Sequence, residues 1–142
     1  MALAAPVLFL SLFLTWSNQF SSRFLARWGR TSALQGVPRT PTAWQVYSDA
    51  DVMLALIAVS LLVVSLWGGR ARRVGLGLAL SVAMAFTVHA IGTPPTNGAV
   101  VFDAAAGTWA RNSPSAGAGE WVALVALVGG AVGLALSFTV ER

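Results

Sequence analysis

Residues 52–91 read VMLALIAVSLLVVSLWGGRARRVGLGLALSVAMAFTVHAI. Two apolar runs, 52–67 and 74–91, flank a short link that holds Gly68, Gly69, Arg70, Arg72 and Arg73. Neither run contains Asp, Glu or Arg. An α-helix rises about 1.5 Å per residue, so roughly 20 apolar residues cross a hydrocarbon layer of about 30 Å. The second run is near that length, and the first reaches it when residues 47–51 form its interfacial turn. The pair predicts two membrane-crossing helices joined by an Arg-rich turn. The positive-inside rule puts so short and basic a link in the cytoplasm.

Two more apolar stretches lie outside this pair, at 2–16 and 121–138. The whole chain of 142 residues is 56% hydrophobic and 10% charged, with mean hydropathy +0.72. A water-soluble domain carries about 25% charged residues, so a soluble globule and a disordered chain are both excluded. All nine basic residues are Arg, and the net charge is +4. On so apolar a chain this charge orients helices in a membrane rather than binding nucleic acid. Cysteine is absent, which removes disulfides and thiolate chemistry.

The expected fold is an all-α membrane protein: a four-helix transmembrane bundle in one domain, with spans at about 2–20, 50–67, 74–91 and 120–138. The first stretch is short and contains Pro6. It differs from a signal peptide, having no basic segment before it and no small-x-small site after Trp16. A span without flanking charge also points to a start of translation upstream of Met1. Trp16, Phe20, Phe24 and Trp28 recur every four residues, the spacing of one helical face. The reading of residues 17–30 is an amphipathic interfacial continuation, with these aromatics in the acyl boundary and Arg23 and Arg27 on phosphates. A plain loop is the alternative. Trp67 and Trp121 are the interfacial anchors of the other spans.

Ser48 and Asp51 form an S-x-x-D arrangement suited to capping the second span. Asp49, Asp51 and Glu120 then read as charges favoured near helix N-termini. Gly92, Pro94 and Pro95 stop the third span. Arg142 follows the fourth, which places both termini in the cytoplasm and two loops outside. Arg23, Arg27, Arg30 and Arg39 in the first loop run against that assignment. The second loop reads Val100, Val101, Phe102, then Asp103 to Gly107, then Thr108 and Trp109, a pattern that fits a short β-hairpin or an irregular loop. Pro41, Trp44 and Val46 are candidates to pack against it.

Few residues carry chemistry. His89 is the lone titratable group inside a predicted span. Gly77, Ser81 and Ala85 share its face, which fits a structural histidine, proton coupling, or ligation of a haem or pigment. Gly129 and Gly133 form a GxxxG, with Gly130 beside them. Gly77, Ser81, Ala85, Gly129 and Gly133 are therefore the candidate close-packing positions, toward a partner or within the bundle. Motifs of metallopeptidases, α/β-hydrolases and P-loop enzymes are missing, so no enzyme activity, metal or cofactor is expected.

Residues 8–16, LFLSLFLTW, resemble the first span of a class of small actinobacterial four-span membrane proteins. There an S-L-F-L-P-W-like run ends span one, a W-x-x-[FY]-S-x-x-D segment opens span two, and an Arg-rich turn joins spans two and three. Here Thr15 stands for the Pro, the second segment is Trp44 to Asp51, and the turn holds Arg70, Arg72 and Arg73. The resemblance implies external first and second loops. It also implies an accessory, stabilising subunit of a larger complex such as an Mce-type lipid importer. The partners expected are the lipid bilayer and another integral membrane protein, or further copies of this chain, in the plasma membrane. A small oligomeric transporter or channel is the alternative.

Overall fold

A computed structural model describes residues 2–67, 69–94, 100–111 and 113–139, together with the side chains of all these but Ala33 and Ser48. Helix α1 spans Ala4–Ser11, β1 Ser17–Asn18, α2 Ser22–Trp28, α3 Ala43–Val46, α4 Ser48–Trp67, α5 Arg70–Gly92, β2 Val100–Asp103, β3 Thr108–Arg111, β4 Ser115–Ala116 and α6 Ala118–Thr139. Among the described residues three helices are long and apolar enough to cross a membrane: α4, α5 and α6. Their 20, 23 and 22 residues give lengths of about 30–35 Å. These match the expected second, third and fourth spans.

Each long helix turns a narrow stripe inward. Leu54, Ile57, Ala58, Leu61 and Val64 of α4 meet Leu76, Leu80 and Ala83 of α5 and Ala123, Ala126, Leu127 and Leu134 of α6. The outward faces are equally apolar, with Leu56, Leu66, Leu78 and Val125 all more than 60% exposed. A helix that is hydrophobic all round belongs in lipid. Helices α1 and α5 each pack on both α4 and α6, so the four axes make a square with α4 and α6 on the diagonal. Gly130 is the close-approach position at its centre: a Cβ there would lie 3.2 Å from Leu61 Cδ2 and 3.7 Å from Leu80 Cδ2.

The first stretch is not a full span. Helix α1 has eight residues, about 12 Å of rise. The amides of Leu12, Phe13 and Leu14 reach back only three residues, to Phe9, Leu10 and Ser11, which tightens and ends the helix. The chain then runs extended because distant partners take its backbone groups. Trp16 N donates to Pro41 O (3.0 Å) and Gln19 N to Arg39 O (2.9 Å), while Gly117 N donates to Trp16 O (2.9 Å) and Gly119 N to Thr15 O (2.7 Å). Strand β1 pairs antiparallel with β4. The expected helix through residue 20 and the interfacial continuation over 17–30 are therefore replaced by a strap and the short helix α2.

Strands β2 and β3 form a hairpin, one of the two readings of this loop, with Val100 facing Arg111 and Asp103 facing Thr108. Its turn closes where Asp103 Oδ1 accepts the amides of Ala105 (3.1 Å) and Ala106 (3.2 Å) and Gly107 adopts φ +64°. Val101 packs with Phe20, Phe24 and Leu34 in a second small core; Trp44 instead meets Phe13, with ring centroids 6.1 Å apart. Residues 15–47, 100–111 and 113–117 thus build one cap over one end of the bundle. Arg70, Arg72 and Arg73 lie at the other end, where Arg73 Nη1 donates to Ser137 O (3.2 Å).

Candidate functional site

The cap closes over two acidic side chains. Asp51 stands in the first turn of α4 and Glu120 in the first turn of α6. Both are 0% exposed, and none of their four carboxylate oxygens has a hydrogen-bond partner. Surface charges at helix starts are ordinary; buried ones without donors are rare, because removing a charge from water without a partner is costly. Asp51 therefore does not close a capping box, whose other member, the Ser48 side chain, lies outside the described residues. Helix α3 has a Thr42–Gln45 contact of that kind, with Thr42 N donating to Gln45 Oε1 (3.1 Å).

Aromatic rings wall the site. Trp16 meets Tyr47 edge-on at 6.0 Å between centroids, and Tyr47 meets Phe86 of α5 edge-on at 5.3 Å. Burial, then the Glu120 charge, then that of Asp51, push the Tyr47 hydroxyl up to about 12 from its usual 10. The two carboxylates, on diagonal helices, thus both act on one phenol. The fold holds this phenol neutral more tightly than the unfolded chain does. Its contribution is complete below pH 10 and is lost as pH rises from 10 to about 12. Alkaline unfolding of the wild type in that window should weaken in Tyr47→Phe. Equal alkaline slopes for the two proteins would contradict it.

The other singled-out residues scatter. Trp16, Phe20 and Phe24 are buried at 0%, 7% and 8% exposure, Trp16 in the core of the bundle and Phe20 and Phe24 in the small core of the cap, and not as anchors in the acyl boundary. Trp28 is half-buried, with Arg27 over its ring at 5.3 Å. Arg27 Nη2 pairs with Asp103 Oδ2 at 2.9 Å, tying α2 to the hairpin, and Arg23 is exposed. Trp67 and Trp121 are exposed at 73% and 54% at opposite ends of the bundle. His89 is exposed on α5, where its Nε2 lies 3.2 Å from Thr93 Oγ1. Ser81 and Ala85 are also exposed, and Gly77 is half-buried. Gly77 and Ser81 line an open groove of about 320 Å³ with Ala131, Ala135 and Phe138. Gly129 is exposed with open space around it and Gly133 is half-buried. Among the described residues no three His, Asp or Glu gather as a metal-binding group.

The chain matches no protein-family model, no curated protein and no solved structure. Its function has to be argued from these features. Pairing Asp51 with Glu120 was within reach of the sequence: each lies in the first turn of an apolar span, and both spans start at the same end of the bundle.

Proposed function

We propose that this chain is a non-catalytic subunit of a larger plasma-membrane assembly, with its cap outside, the Arg-rich turn and the C-terminus in the cytoplasm, and an apolar helix of a partner protein seated against α1 and α4. The observation that carries this reading is an open apolar groove of about 410 Å³ at the corner of the bundle that α1 occupies. It runs between α1 and α4 and is lined by Ala2, Ala5, Pro6, Phe9, Ala58, Val59 and Leu62. On the α6 side, Gly129 faces open space one turn before Gly133. Small residues let helix backbones approach, and close packing drives helix association in lipid. A lipid importer is the class of assembly that the sequence resemblance suggests.

The absence of cysteine makes the test direct. Leu62→Cys and Gly129→Cys, cross-linked in native membranes, should each give an adduct with one and the same partner. Leu78→Cys, 68% exposed on α5, should give none. Adducts only between copies of this chain would replace the partner with a homo-oligomer. Adducts equally from Leu78 would defeat the assignment of the corner.

The second reading, a small transporter or channel, draws its support from Asp51 and Glu120. They supply buried acidic groups at one end of the bundle, which the first apolar stretch does not.

A further inference from the structure

We propose that Asp51 and Glu120, with the Tyr47 hydroxyl, form a binding site for a single small cation, a proton or an alkali metal ion, at the capped end of the bundle. The argument starts from unfilled acceptors. Four carboxylate oxygens, fully buried, receive no hydrogen bond. Native proteins pair nearly all such groups, so each exception calls for a proton, a cation or a donor from outside the chain.

The neighbouring donors are already committed. Trp16 Nε1 donates to Ser11 O (2.8 Å) and Ser11 Oγ to Leu8 O (2.6 Å). Thr87 Oγ1, the buried hydroxyl of α5, donates to Ala83 O (2.8 Å). The Gly117 amide donates to Trp16 O (2.9 Å), with Glu120 close enough to feel the same N–H, and the Gly119 amide donates to Thr15 O (2.7 Å). No described cation is paired with either acid. Arg23, Arg27, Arg30, Arg39 and Arg111 of the cap are on or near its surface, Arg27 already holding Asp103. Arg73 is at the opposite end against Ser137, and His89 is exposed.

Size and chemistry narrow the occupant. The site is walled by Trp16, Tyr47 and Phe86, and neither open groove is lined by Asp51 or Glu120. The acids lie under this aromatic wall at 0% exposure, which suits a small occupant: a proton needs no volume and a dehydrated alkali ion needs little. Carboxylate and hydroxyl oxygens are the donors that hard cations prefer. Tyr47 accepts the Asp51 amide at its carbonyl and its ring meets Trp16, which lies against Gly119 beside Glu120, so the phenol stands between the two helix starts and its oxygen is the third donor.

The experiment uses the full chain in lipid nanodiscs. Its thermal midpoint is followed while Na⁺ or K⁺ replaces choline at constant ionic strength, and separately as pH is lowered in choline alone. A bound ion stabilises the fold by mass action. A rise of several degrees with one alkali ion identifies a metal site; a rise on acidification without alkali dependence identifies a proton site. In either case Asp51→Asn and Glu120→Gln should abolish the response. A midpoint indifferent to all three cations and to acid overturns the proposal, as does an undiminished response in both variants. Should the variants fail to fold, infrared difference spectra of the wild type between the two conditions decide. They must contain carboxyl bands sensitive to isotopic labelling of Asp and Glu, and spectra without such bands overturn the proposal equally.

Discussion

Trp16→Ala is expected to destabilise the protein by about 3–5 kcal/mol, the range for removing a fully buried large aromatic. The indole is 0% exposed and works at three levels. It packs edge-on against Tyr47, and its Nε1 returns a hydrogen bond to the carbonyl of Ser11, where α1 ends. Its backbone bridges residues 41 and 117, a role that the substitution leaves intact. The loss should therefore come from the cavity and the indole bond. Trp16→Phe keeps most of the volume and forfeits the bond, so it should cost less than Trp16→Ala by more than about 1 kcal/mol. Equilibrium unfolding in mixed micelles measures both. A tryptophan lying at a lipid interface would give a small loss for either variant, and that result would remove Trp16 from the core.

The contrast between α1 and the long helices shows what the sequence could disclose. The runs that became α4, α5 and α6 were readable because local properties define them: apolar residues without charge, bounded by Gly68, Gly69 and the Arg cluster, by Gly92 and Pro94, and by Glu120 and Trp121. The hairpin was one of two readings of its loop for the same reason, since the run Val100, Val101, Phe102 and the turn from Asp103 to Gly107 are neighbours in sequence. Residues 2–16 have the same local signature as a span. What holds the chain extended after α1, over residues 15–19, is a set of hydrogen bonds with residues 39, 41 and 115–119, which no local pattern contains. The four-residue spacing of Trp16, Phe20, Phe24 and Trp28 was a true regularity carried by the wrong structure. Phe20 and Phe24 do stack, at 5.7 Å between ring centroids, while Trp16 belongs to another core.

Asp51 and Glu120 failed to stand out for a related reason. An acid in the first turn of a helix satisfies a local rule, and the rule is silent about a lid. Burial comes from Trp16 and the strap, brought in from elsewhere in the chain. Gly130 likewise became the close-contact glycine of α6 because of Leu61 and Leu80, whereas the GxxxG motif pointed to its neighbours Gly129 and Gly133.

The strap also yields the last large effect. Gly117→Ala should cost at least about 3 kcal/mol, the upper part of the range for overpacking. A Cβ at Gly117 would overlap Thr15 O and lie 2.6 Å from Trp16 C and 2.7 Å from Thr15 C. These are backbone atoms, pinned by the β1–β4 pairing and by the Gly117–Trp16 hydrogen bond, so relief requires the strap to detach. Gly119→Ala meets the Trp16 ring and, at 2.9 Å, Ser11 O; the ring can shift only by disturbing Tyr47. Gly129→Ala is the internal control. Its Cβ meets nothing within 4 Å, and Ala is the better helix former by up to about 1 kcal/mol, so it should be neutral or stabilising. The two glycines also predict different couplings. Trp16→Ala should rescue part of the Gly119→Ala loss, because the side chain removed is the obstacle, and none of the Gly117→Ala loss, where the obstacle is backbone. Additive losses in the Trp16–Gly119 pair would mean that the indole does not lie against α6, and the aromatic wall over Glu120 would then have to be redrawn.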